Sequence, residues 1–161
     1  MSDGGGAVRL PYRTSLLVQL SGRWKHRLCL HEWTVHWRWM MDGSNGYDGE
    51  TSRESYNRTA TIRLNAGTLN ECTYQRFREV VVHELLHLRI SVLADAVEHA
   101  GIRPLIGESA WTVFWAQWQR CMEKEVDQLA EILVEVAEWK REDEALLAKD
   151  EREARRKGRK R

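Results

Sequence analysis

The sequence predicts an α+β fold: an N-terminal helix, a small and mostly antiparallel sheet, an apolar helix bearing paired histidines, and a long C-terminal helix. Three observations predict it. Apolar residues recur at helical spacing at Leu17, Leu20, Trp24 and Leu28. They then alternate with polar residues over 33–41 and 59–65, which is the period of a half-buried strand. Finally they crowd the run Val80-Val-Val-His-Glu-Leu-Leu-His-Leu-Arg-Ile90. A chain of 161 residues, 42% of them hydrophobic, is one domain with enough apolar surface for a core.

In chain order, residues 1–11 read as a flexible leader ending at Pro11, and an amphipathic helix follows from about Thr14. In the first strand Trp33, Val35, Trp37, Trp39 and Met41 turn inward, which leaves His36 on the solvated face. Asp42-Gly-Ser-Asn-Gly46 has the composition of a turn, and residues 43–57 form a polar loop with room for a short extra strand. Ala60, Ile62 and Leu64 alternate with Thr61 and Arg63 in the second strand. An exposed edge of such a sheet can take an extended peptide as an added strand.

Asn70 and Thr73 are the expected caps of the histidine-bearing helix, with Ser91 as a candidate break, and the run His99, Gly101, Pro104 supplies a stop. Ser109 is the expected cap of the last long helix. Its positions Phe114, Trp118, Val126, Leu129, Leu133 and Val136 keep helical spacing to about Trp139. The folded domain is therefore expected over 12–139.

Residues 140–161 carry ten basic and six acidic side chains, so this tail is net +4 while residues 1–139 are net −3. The expectation is a solvated helix that frays, able to hold a nucleic acid or an acidic partner through its cations. Eight tryptophans are expected in the core rather than along a cleft. Cys29, Cys72 and Cys121 form no Cys-x-x-Cys pair, which points to reduced thiols. The first residues, Met-Ser-Asp-Gly-Gly-Gly, lack a basic and apolar signal pattern. No apolar run approaches the roughly 18 residues needed to cross a bilayer. A cytoplasmic protein with no membrane partner is the expectation.

The chemistry concentrates at His83-Glu84-Leu-Leu-His87. On a helix a spacing of four advances about 400° and 6 Å, so both imidazoles project from one face and can share a Zn²⁺ ion. Glu84 follows the first histidine. Its carboxylate then lies beside the metal, where it can take a proton from the attacking water. A chain of this composition holds roughly 0.02 such motifs by chance. Burying two histidines and a glutamate among valines and leucines without a metal or partners would also be costly.

Zinc needs a third protein ligand, and residues 88–93 supply none. If the two long helices form an antiparallel hairpin centred near Leu105, residues whose numbers sum to about 210 lie level. His87 then faces Glu123, and His83 faces Asp127. Glu123 is the expected ligand. Glu125 is its rival, but it points about 200° away round the helix. Asp127 can accept the outer N–H of His83 and so set its tautomer.

With these residues in hand, the pair His83-Glu-Leu-Leu-His87 and Glu123-Lys-Glu-Val-Asp127 resembles the gluzincin branch of the zincin metallopeptidases. The run Glu123-Lys-Glu-Val-Asp-Gln-Leu-Ala130 is similar to that of ImmA/IrrE-type peptidases, and the elements before it resemble small phage-encoded zincin-like proteins. Val126, Leu129 and Leu86 depart from the usual alanine, phenylalanine and glycine. The resemblance implies a minimal zincin-like fold and a zinc peptidase acting on peptides or proteins, with Glu84 catalytic, His83, His87 and Glu123 on the metal, and Asp127 behind His83. Tyr47, Tyr56, His99 and Arg103 are all available as oxyanion donors, and the sequence does not choose among them. Two rival expectations are a zinc-stabilised, non-catalytic binding or regulatory module such as a phage accessory protein, and an SprT-like DNA-associated protease.

Overall fold

A computed structural model describes residues 10–40, 47–69, 72–99 and 102–158, with the side chains of 10–13, 92, 99, 102, 104, 137, 150, 151 and 153–158 outside the description. The fold is α+β. Its elements run α1 (Leu10–Arg27), β1 (Thr34–Met40), β2 (Gly49–Glu54), β3 (Thr59–Asn65), α2 (Ala66–Leu69), α3 (Tyr74–His99), α4 (Ile102–Ile106), α5 (Glu108–Val134) and α6 (Ala137–Gly158).

Helix α1 takes in Leu10 and Pro11, which were expected in a leader; the rest of that leader, residues 1–9, lies outside the described residues. Proline suits a first turn, where its missing N–H has no partner to lose. Leu16, Leu17, Leu20 and Trp24 line the buried face. The helix ends on Cys29 at φ 54, with Leu30 N–H donating to Lys25 O at 2.7 Å and Cys29 N–H to His26 O at 3.0 Å. That left-handed closure uses up carbonyls the helix end would otherwise leave bare.

The sheet order is β1-β3-β2, with β1 parallel to β3 and β2 antiparallel to β3. This corrects the mostly antiparallel expectation. The short extra strand allowed within 43–57 is β2; without it the two strands named outright would pair directly, with a reversal between them. Because β2 supplies that reversal, β3 runs in the direction of β1 and must pair with it in parallel. Its Ala60, Ile62 and Leu64 are almost wholly buried, so β3 takes the centre and the polar β2 an edge. The expected turn at 42–46 lies outside the described residues.

One sheet face lies on α1 and α3: Trp37 Nε1 donates to Ser21 Oγ at 2.8 Å, and Trp39 stacks on Phe77 at 6.4 Å. The other face, including His36, is in solvent. Trp24 and Trp33 are buried in the core and Trp37, Trp39 and Trp139 pack against it, whereas Trp111 is buried outside that cluster, stacked on Trp115. Helix α3 starts on Thr73, whose Oγ1 accepts from Arg76 N–H at 3.2 Å, and it runs unbroken through Ser91. Helix α5 is capped by Gly107 at φ 75 and not by Ser109, which lies inside the helix. It packs antiparallel along α3 and stops at Val134, short of Trp139.

The charged tail differs most from expectation. Helix α6 turns back and packs along α1, burying Leu146, so the core continues past residue 139. At its centre Asp143 is fully buried. It accepts from Trp24 Nε1 at 3.1 Å and from Arg27 Nη1 at 3.0 and 3.1 Å, with Arg78 Nη1 at 3.8 Å. Removing one partner of a buried ion cluster strands the rest. Asp143→Ala is therefore expected to cost about 3–5 kcal/mol in denaturant unfolding. A value near zero would mean that this segment is solvated.

Candidate metal centre

Helices α3 and α5 deliver the donors. Their antiparallel register continues about two turns beyond the histidines, where Gln75 Nε2 donates to Glu135 Oε1 at 3.2 Å. His83 and His87 share a face of α3, and their Nε2 atoms are 3.0 Å apart. Glu123 reaches both from α5, with Oε2 at 3.6 Å from His83 Nε2 and Oε1 at 3.6 Å from His87 Nε2. Ligands about 2.0–2.1 Å from a tetrahedral zinc sit about 3.3 Å from one another. The contacts of 3.0 and 3.6 Å bracket that spacing, the two to Glu123 being made by different oxygens. One donor atom from each residue can be taken with all three within 4.8 Å of one another, and two imidazoles and one carboxylate are a zinc-type set. Donor number, spacing and chemistry therefore fit the ion.

Asp127, one turn after Glu123, has Oδ1 3.0 Å from His83 Nδ1. An Nδ1–H donated there leaves the Nε2 lone pair facing His87 and Glu123. Glu125 points away and does not line the cleft.

Glu84 is buried, at 3% exposure, against the inner face of β2. Thr51 Oγ1 donates to Glu84 Oε2 at 2.6 Å and lies 3.3 Å from Glu84 O. A Cβ on Gly49 would collide with Glu84 Oε1. Burial raises the Glu84 carboxyl above the ordinary range, against the pull of the Thr51 hydrogen bond and of His83.

The same charges set the histidines. Burial acts to lower His83, but the Glu123 hydrogen bond and the charges of Glu84, Asp127 and Glu123 together hold it above the usual value. Burial takes His87 below, with His83 and Arg53 adding to it against Glu123 and Asp127. Glu123 is held low by its hydrogen bond to His83, against partial burial. A consequence concerns pH. A proton on His83 must leave before its Nε2 can bind a metal, so zinc affinity is expected to be full above the raised His83 value and to fall as pH drops through it. Zinc titration against a competing chelator from about pH 8 to about pH 5 reads this directly; a flat profile would remove His83 from the donor set.

These groups line one cleft of about 830 Å³ between β2, α3 and α5. Its cations are Arg76, paired with Asp48 at 2.6 Å, and Arg53, paired with Asp95 at 3.3 Å. No tryptophan lines it among the described residues. Among the described residues, Tyr47 is the oxyanion candidate that borders it. Tyr56 is fully exposed on the β2–β3 turn, Arg103 pairs with Glu108 at 2.9 Å away from the cleft, and the His99 side chain lies outside the described residues.

Gly49, Thr51 and Arg53 are the site residues that sequence reasoning missed. Their signal was a period of two in which the inward set is itself polar, and hydrophobic periodicity does not register such a strand. No family model, curated protein or solved structure matches the chain.

Proposed function

We propose that this protein is a zinc-dependent peptidase of the zincin type, gluzincin-like in its ligand set. One observation carries the reading: His83, His87 and Glu123, whose donor atoms lie within 4.8 Å of one another, and the buried carboxylate of Glu84 open on the same cleft. When bound by those three residues, zinc supplies Lewis acidity, which acidifies water and polarises a carbonyl.

The chain's own residues do the rest. Asp127 fixes the His83 tautomer, leaving Nε2 free as a donor. Glu84 accepts one proton as the water oxygen adds to the peptide carbonyl carbon. When the C–N bond breaks, its electron pair stays on nitrogen, and Glu84 delivers the proton there. The products are a carboxylic acid and an amine. A carboxyl raised by burial is suited to this, since it takes and returns a proton more readily near neutrality. The free edge of β2 borders the cleft and can align an extended peptide or protein segment by main-chain hydrogen bonds.

Cys29, Cys72 and Cys121 form no disulfide with one another, which supports a cytoplasmic setting, and among the described residues no helix is long and apolar enough to cross a membrane. The test is zinc analysis of purified protein together with cleavage of a quenched-fluorescence peptide library, with and without chelator. Chelator-sensitive cleavage with one bound zinc is the expected result. Stoichiometric zinc without hydrolysis would favour the non-catalytic module, and cleavage stimulated by DNA the SprT-like protease with a nucleic-acid partner.

A further inference from the structure

We propose that the inner face of β2 divides the labour of the two Glu84 oxygens: Thr51 is a positioning residue that anchors Oε2, and Gly49, by lacking a Cβ, leaves the space in which Oε1 sits to take and return the proton. The proposal rests on the peptidase reading and assigns atoms within it.

A glutamate side chain turns about three torsions, so proximity to a metal site does not aim its carboxylate. Here the aim comes from the strand opposite. The Thr51 hydroxyl has one proton to give, and its short 2.6 Å contact is to Oε2, whereas the Glu84 carbonyl lies at 3.3 Å. A hydrogen bond from hydroxyl to carboxylate is of the strong, charge-assisted kind. That bond holds Oε2 toward the strand, and Oε1 is the oxygen assigned to the chemistry.

Oε1 lies against Gly49, where any side chain would overlap it. The glycine is not there for its backbone. Gly107 is the described glycine with positive φ, and Gly49 sits in an ordinary strand pairing opposite Leu64. A Cβ on Gly22 or Gly107 would meet nothing, whereas one on Gly49 meets the proposed base. Gly49 and Thr51 are two residues apart, so they present the same strand face. Both are pinned through the core, because their partners Leu64 and Ile62 on β3 are fully buried.

The experiment compares full-length Thr51→Val, Thr51→Ser and Gly49→Ala with wild type, each loaded with zinc, on a peptide chosen from the library. Thr51→Val should lower kcat on the order of 10-fold to 100-fold, with KM and zinc content unchanged, and Thr51→Ser should restore most of it. Gly49→Ala should lower kcat with zinc retained. An activity-independent arm uses metal-free protein: Thr51→Val should lower the Tm in the wild-type background but not in a Glu84→Ala background. Equal Tm losses in both backgrounds, or unchanged kcat in Thr51→Val, would overturn the anchor. Full activity in Gly49→Ala would overturn the Oε1 assignment. If wild type cleaves nothing in the library, the peptidase reading falls and takes the Oε1 assignment with it, while the unfolding arm still decides whether Thr51 holds Glu84.

Discussion

Glu84→Gln is expected to abolish peptide cleavage while leaving zinc bound in full. The amide keeps the size of the carboxylate in a site that is 3% exposed, but it has no basic oxygen to take a proton. General acid–base catalysis contributes about 10²–10⁴-fold, and the loss in kcat should fall in that range. Zinc should stay, because Glu84 is not in the donor triangle of His83, His87 and Glu123. Stability should not fall either, since a neutral amide relieves the cost of burying a charge. Zinc lost together with activity would make Glu84 a ligand, and unchanged cleavage would place the base elsewhere.

The second large effect is on the metal. Glu123→Ala should release zinc, whereas Glu125→Ala, two positions on and facing away, should keep it. The contrast is informative because both substitutions remove one carboxylate from the same helix, so any effect of net charge or helix propensity is shared. Asp127→Ala should lie between them, weakening zinc about 10–100-fold, the usual effect of losing the group behind a ligating histidine. Zinc content after dialysis orders the three. A Glu123→Ala protein that retains zinc, with Glu125→Ala losing it, would reverse the facing of α5.

How far the site could be read in advance follows from what is local in the chain. His83 and His87 share a face because α-helix geometry alone sets four-residue neighbours together. The opposition of Glu123 to His87 and of Asp127 to His83 needed one more assumption, a hairpin about Leu105, and the distances of 3.6 Å and 3.0 Å satisfy that register. It was readable because two long helices joined by a short connection have few ways to pack.

What could not be read is what depends on burying polar groups against each other. The sequence Gly-Glu-Thr-Ser-Arg-Glu at 49–54 has no apolar alternation to mark it as a strand, because its inward face meets a carboxylate. With β2 no more than an optional short strand within the loop 43–57, the parallel pairing of β1 with β3 was hidden as well. The same holds for residues 140–158. Among so many charges Asp143 looks solvated, yet it is buried because Arg27, 116 positions earlier, lies beside it.

By itself the sequence determined the α+β class, the central apolar helix and the side chains that share its face, since each follows from spacing along one element. The tertiary structure alone decided the strand order, the fold-back of α6 and the contact of β2 with Glu84. These depend on which distant polar groups satisfy one another once water is excluded, and periodicity along the chain carries no record of such pairings.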